Sequence, residues 1–406
     1  MNSVGYIALL RNNPNFRCLY IARLISLLGD WFSLLAVLAL LRSIGAGTAT
    51  DFGIALILKS LPVLIATPWA GYFADRYSRI KVMVWSDILR AVLVALFFLV
   101  LVFPATTLVY TLIVLQALVA TFFEPARTAL LPDIVSDEEL TAANALGATT
   151  WSAMLTIGAA LGGVFTEFFG WEWALVIDIG TYVVSMVFLL FIQAPSRVGI
   201  TGNVSSENWI AFSYMRRHIE CWTLVLVKGG WNLVGGVTLM LTLLGEGTFS
   251  MGGKMILGVS VLYAARGLGT GIGPILSRYL TQSKPKRMES FIGYGYLCGA
   301  VFYIPMYWVD SIGYAIILII LAHIGGATVW VFSTIRLQQT LPEDIRGRIF
   351  AFEYAFWTIM FVLSTYSYSF LSDQFHFDSR LLLSVMGGTL LIPFGLWQLR
   401  LVWLKR

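Results

Sequence analysis

The stretch GYFADRYSRIK, residues 71–81, sets Asp75, Arg76, Arg79 and Lys81 within a few positions of one another. The chain around it has 406 residues, of which 58% are hydrophobic and only 12% charged. Such a concentration of charge therefore needs a reason. A related stretch, GPILSRY, follows at 273–279, where Gly273, Arg278 and Tyr279 repeat the spacing of Gly71, Arg76 and Tyr77 at an offset of 202 residues.

The mean hydropathy is +0.80, and the charged fraction is about half the ~25% of an ordinary soluble domain. Long apolar runs recur from end to end, each near the ~20 residues that carry a helix across a bilayer. Lipid-exposed backbone must satisfy its own hydrogen bonds, so the spans are helices or the strands of a closed barrel. Barrel strands alternate apolar and polar residues over ~10 positions, and these runs do not. The expectation is an all-α membrane protein. The first apolar run lacks a small-residue cleavage site, so it reads as a retained helix. Cys18, Cys221 and Cys298 are far apart and suggest neither disulfides nor a zinc site. The net charge of +5 is spread in a way that does not point to nucleic acid.

Loops marked by proline, glycine and charge divide the chain into twelve spans. With both termini on one side, most lysines and arginines fall in the connections of that side. The opposite connections carry only Arg42, Lys254 and Arg380. The positive-inside rule then makes both termini and the 71–81 loop cytoplasmic. The longest connection contains SSENWIAFSYMRRHIE, 205–220, in which Trp209, Phe212, Met215, Arg216 and Arg217 suit an amphipathic surface helix or a plain basic linker. It separates an N-terminal six-helix bundle, 1–195, from a C-terminal one, 222–406, with the linker at 196–221. A second cytoplasmic pair, LPDI at 131–134 and LPEDI at 341–345, supports the repeat. Two parallel halves about an axis along the membrane normal are a transporter architecture.

These motifs resemble the major facilitator superfamily, whose signature loop between helices 2 and 3 reads much like GYFADRYSRIK. FFEPARTALLPDIVSDEELTAANAL (122–146), LPEDIRGRIFAFE (341–353) and SLLGDWFS in the first span are similar to one branch. That branch comprises bacterial exporters, including macrolide efflux pumps and the enterobactin exporter. The resemblance implies the major facilitator fold, two six-helix bundles related by pseudo-twofold symmetry. It also implies a conformational switch in which Asp75 latches onto the start of the eleventh span, where Arg346 and Arg348 stand. Gly71 would permit close helix packing there, while Arg76 and Arg79 would hold the loop in the cytosol.

Ionisable groups at the bilayer centre are costly, and they pair or face a wet cavity. Asp30 lies 13 residues above Arg17, or ~20 Å at 1.5 Å per residue. Lys59 lies 16 residues from Asp75 on the next, antiparallel span, or ~24 Å. Asp30 is expected to pair with Lys59 or with Arg23, two turns away, either as a proton- or cation-coupling site or as a static ion pair. Asp87 and Arg90 read as an intrahelical pair. Arg266 is central in the second half, with Lys228 and Glu353 shallower. His323 is either a proton carrier or a packed residue with one satisfied hydrogen bond. Tyr110, Gln116, Thr121, Glu124, Lys228, Trp231 and Asn232 are candidates to line a substrate cavity.

The Gly-rich run RGLGTGIGP, 266–274, lies within an apolar span and lacks the strand context of a nucleotide loop, so it reads as a helix-packing seam. There is no Walker sequence, His218, His323 and His376 are scattered, and no cofactor or metal is expected. The resemblance implies a monomeric secondary transporter in the bacterial cytoplasmic membrane, not an enzyme. It would export an amphipathic or hydrophobic solute, such as a drug-like compound or siderophore, in exchange for protons. A lysophospholipid flippase, a non-transporting sensor and a lipid-modifying enzyme are the alternatives.

Overall fold

The computed structural model describes residues 5–194, 212–281 and 284–403. These residues are almost entirely helical. In chain order the helices are α1 (Tyr6–Asn12), α2 (Pro14–Ser43), α3 (Ala49–Arg76), α4 (Arg79–Leu96), α5 (Thr106–Ala120), α6 (Phe123–Ile134) and α7 (Asp137–Leu190). They continue as α8 (Ile219–Trp231), α9 (Val237–Glu246), α10 (Met255–Thr281), α11 (Pro285–Tyr303), α12 (Ile312–Thr340), α13 (Glu343–Phe375), α14 (Ser379–Thr389) and α15 (Leu391–Trp403). Among the described residues, ten stretches are long and apolar enough to cross a membrane. The expected twelve are reached only by counting α7 as two crossings and α11 as one more.

Helix α7 does turn back on itself. Gly170 has φ 88° and ψ 162°, outside the helical region, a conformation open to glycine because it has no Cβ. On one side of it, Gly158 and Gly162 pack on Trp31 and Phe32. On the other, Asp178 and Thr181 pack on Gly29. Both arms therefore meet the same turn of α2, which requires a hairpin at Gly170.

The chain forms two compact units, residues 1–47 with 58–202, and residues 48–57 with 203–406. The first unit is organised inside out relative to a soluble protein. On α4, Asp87 and Arg90 are 0% and 2% exposed, whereas Trp85 is 60% exposed. Leu89, Val92 and Leu96 continue the exposed stripe at helical spacing, as expected where the outer solvent is lipid and polar groups must pair within. The helix starts are capped locally. Asn13 accepts from Phe16 N at 2.9 Å, and its amide also donates to Ile134 O at 2.8 Å. Ser136 and Glu139 form a reciprocal capping box at the start of α7.

In the second unit α10, α11 and α12 approach through glycines. A Cβ on Gly269 would sit 2.3 Å from Ile320 O, and one on Gly295 would sit 2.7 Å from Gly325 O. The run at 266–274 is thus a packing seam. Of the linker, Trp209 lies outside the described residues. Residues 212–217 are helical, with Met215 buried and Arg216 and Arg217 exposed.

Candidate functional site

A buried polar network joins α2, α4 and α7. Arg90 Nη2 lies 2.5 Å from Asp87 Oδ1 and donates to Ser26 Oγ at 3.0 Å. Arg90 Nη1 reaches Asp30 Oδ1 at 3.4 Å, and Tyr182 donates its hydroxyl to that same oxygen at 2.8 Å. Ser185 donates to the other oxygen of Asp87 at 2.6 Å. The Tyr182 ring also lies beneath the Arg90 guanidinium, 4.2 Å from carbon to centroid, a cation–π contact that replaces part of its hydration. Asp87 and Arg90 are sealed, while the Asp30 side chain keeps 33% of its exposure. Asp30 is where the network meets the outside.

This arrangement corrects one expectation and extends another. Asp30 is paired with Arg90 rather than with Lys59 or Arg23. The Asp87–Arg90 pair is present but also extends to a neighbouring helix. Among the described residues Lys59 forms no ion pair, although its charge lies within electrostatic range of Asp30 and Asp178. Asp178, Tyr182 and Ser185 were not among the expected site residues. Asp178 is fully buried and has Thr181 Oγ1 3.4 Å from its Oδ1. It is an acid within the apolar run WALVIDIGTYVV, 173–184, and the rule that singled out Asp30 applies to it equally.

Arg23 instead pairs with Glu124, 2.5 Å from Nη2 to Oε1, and Arg127 Nε donates to Glu124 Oε2 at 2.9 Å. The three charges line a cavity of about 300 Å³ between α2, α6 and α7. Of the other lining candidates, Gln116 donates to the Tyr182 hydroxyl at 3.5 Å. Thr121 is buried and bonds the Ala117 carbonyl of its own helix turn, and Tyr110 is half-buried.

At the loop, Arg79 donates to Ala129 O at 2.9 Å and bonds the Asp133 carboxylate. The GYFADRYSRIK motif and the LPDI motif are therefore one structural element. Arg76 is exposed and lies over the Tyr72 ring. The side chain of Asp75 and the surroundings of Gly71 lie outside what the structure describes. Arg346 donates to Leu341 O at 3.2 Å, and Arg348 is half-buried near it in sequence.

The Major Facilitator Superfamily model matches residues 19–365. The chain belongs to the major facilitator superfamily. Among curated facilitators it is similar to the protein named as a bacilysin exporter, BacE, in Bacillus subtilis (strain 168). The two are 27% identical over 353 residues, which cover 83% of this chain and 84% of that one. The Enterobactin exporter EntS of Salmonella typhi is 25% identical over 357 residues, covering 84% and 82%. Solved facilitators agree on the fold. A POT family transporter in complex with 5-aminolevulinic acid has a TM-score of 0.77 at 10% identity, covering 97% of this chain and 96% of that one. A bacterial homologue of the iron transporter ferroportin has 0.74 at 16%, covering 96% and 98%. The chain is an integral, multi-pass membrane transporter and not an enzyme.

The second unit of this facilitator also holds a buried pair. Lys228 Nζ lies 2.9 Å from Glu353 Oε2, and both side chains are under one-tenth exposed. The ammonium also sits 4.3 Å from the Trp330 ring centroid. These two residues were expected separately, and 125 positions part them. Arg266 bonds the Thr238 hydroxyl. His323 Nδ1 is 2.9 Å from the Tyr303 hydroxyl and 3.1 Å from Ile319 O, the arrangement of a packed, satisfied histidine. Trp231 fills the space over Gly299 and Gly326, and Asn232 donates to Trp357 O at 2.7 Å. Both have structural contacts that keep helices in register.

Proposed function

We propose that the chain is a secondary active exporter that moves a small amphipathic or hydrophobic solute out across the cytoplasmic membrane by alternating access. Protons are the coupling ion, and Asp30 is the group that loads and releases them. Relatives named for the export of bacilysin and of enterobactin support the direction and the class of cargo.

The observation that carries the reading is the place of Asp30 in the α2–α4–α7 network, paired with Arg90 at 3.4 Å yet 33% exposed. Arg90 serves both Asp30 and the sealed Asp87, and Lys59 and Arg23 lie within electrostatic range of Asp30. A carboxylate at such depth is costly, and taking up a proton removes its charge. Asp30 suits that proton because it alone of the hydrogen-bonded acids retains access to the outside. Protonation would release its share of Arg90 and leave the Asp87–Arg90 pair intact. That is a local change which alternating access can use.

The test compares a drug-sensitive bacterial host expressing the wild type with one expressing Asp30→Asn at matched membrane levels. Growth on a panel of toxic amphiphiles is scored, and proton movement out of acid-loaded everted vesicles is followed when each amphiphile is added. Tolerance and proton release that both vanish in the variant support the reading. Tolerance without any proton response removes proton coupling. No tolerance to any compound removes export of amphiphiles and favours lipid traffic.

A further inference from the structure

The cavity between α2, α6 and α7 is not used by the proton-coupling network, and its charge is unbalanced. Arg23 and Arg127 face a single acid, Glu124. The contrast with the second unit is informative. Lys228 and Glu353 match one to one and are 7% and 3% exposed, as a structural pair in a membrane should be. Arg23, Glu124 and Arg127 are 22%, 43% and 23% exposed, and Arg23 also lies within electrostatic range of Asp30.

Among the described residues Glu124 is the one hydrogen-bonding or ion-pairing partner of either arginine. A guanidinium carries five N–H donors in a fixed plane. The engaged atoms are Nη2 of Arg23 and Nε of Arg127, so each arginine keeps donors for another acceptor. A planar anion is the acceptor that such a fork fits best. The remaining walls combine apolar and aromatic side chains, Phe16, Leu27 and Trp151 among them, with the polar Asn144 and Thr150. A volume of about 300 Å³ is at the small end of ligand sites, room for a ring system or a short peptide. The lining reaches from the first turn of α2 to Leu27, at the end of the unit that the charge asymmetry assigns to the cytoplasm. A solute awaiting export would meet it there.

We infer that this cavity is a cargo subsite, and that the exported solute is an amphiphile with an apolar body and an anionic carboxylate-like group held by Arg23 and Arg127. Glu124 positions the two arginines and competes with the cargo for them. This inference rests on the export reading for the fate of the ligand, but its binding test does not.

Three probes share one ring system: 2-naphthoate, the neutral 2-naphthylmethanol and the cationic 2-naphthylmethylammonium. Each is titrated against the purified full chain in detergent, with the thermal midpoint as readout. The expected result is saturable stabilisation by 2-naphthoate and none by the other two. Arg127→Gln should weaken naphthoate binding by about tenfold or more, the worth of a charge-assisted contact. Glu124→Gln should tighten it. Equal responses to the three probes overturn the inference, as does unchanged naphthoate affinity in Arg127→Gln. Should that variant not fold, Glu124→Gln decides, because unaltered or weaker binding there also overturns it. Proteoliposome transport separates the two readings. Naphthoate binding without movement of any probe leaves the subsite and removes export. Movement of all three probes at one rate leaves export and removes the subsite.

Discussion

Arg90 Nη1 stands 3.4 Å from Asp30 Oδ1, across the gap between α4 and α2. The same guanidinium holds Asp87 at 2.5 Å within its own helix. One cation therefore serves two acids, and only one of these acids has a path to the outside. Asp87, at 0% exposure, is held between Arg90 and Ser185, whereas the Asp30 side chain keeps 33% of its exposure.

Arg90→Ala should accordingly be among the most destabilising changes in the first unit. It leaves Asp87 buried with the Ser185 hydroxyl as its remaining hydrogen-bond donor, and stranding one half of a buried pair costs about 3–5 kcal/mol. Adding Asp87→Asn should restore more than half of the loss. Thermal unfolding of the purified variants measures both, and additive losses in the double variant would contradict the pairing.

The contact of α2 with the α7 hairpin offers a cleaner steric test. A Cβ at Gly29 would lie 2.0 Å from Thr181 Oγ1 and 2.5 Å from Asp178 Oδ1. Gly29→Ala should cost about 1–3 kcal/mol through overpacking. Gly180→Ala, one residue from Thr181, meets nothing within 4 Å and should be neutral or better by up to about 1 kcal/mol. If the two alanine variants melt together, the hairpin does not pack on α2 as described.

These cases mark where sequence reading reaches and where it stops. Hydropathy and the asymmetry of lysine and arginine mark the spans, because each depends on composition along the chain. The Arg79 loop and the LPDI motif are both recognisable, yet their bond joins residues 54 positions apart. Depth along a helix is also readable, which is why Lys59 and Arg23 were plausible partners for Asp30. Rotation about the helix axis is not, since a 100° step between neighbours separates the Arg90 face from any other. Glu124 and Arg23 were each singled out, and only the packing of α6 on α2 brings them together. Asp178 differs: its charge in an apolar run was visible, and a uniform search for such charges finds it.

In the second unit Lys228→Met should destabilise by about 3–5 kcal/mol, because Glu353 is then buried without its cation. The double variant Lys228→Met with Glu353→Leu should come close to the wild type, since apolar replacements of both partners remove the desolvation cost together. Unfolding midpoints of the single and double variants decide this. Should the double variant retain stability yet lose transport, the pair has a role in the transport cycle beyond holding α8 to α13.

The last expectation concerns pH and lies outside the membrane-spanning segments, at the start of α14. Partial burial pushes the Asp378 carboxyl upward, but hydrogen bonds from the Arg380 side chain, from the backbone N–H groups of Arg380 and Leu381, and the Arg380 charge together hold it below its usual value. Its side chain accepts from Arg380 N at 2.6 Å as the helix cap. A carboxylate whose folded value is depressed contributes stability above its unfolded value, about 3.9, and loses it as pH falls through the folded value. Asp378→Asn should therefore melt below the wild type at neutral pH. The gap should narrow only once pH drops below about 4. Midpoints of both proteins compared from pH 7 downward check the sign, and a gap that widens on acidification would contradict it.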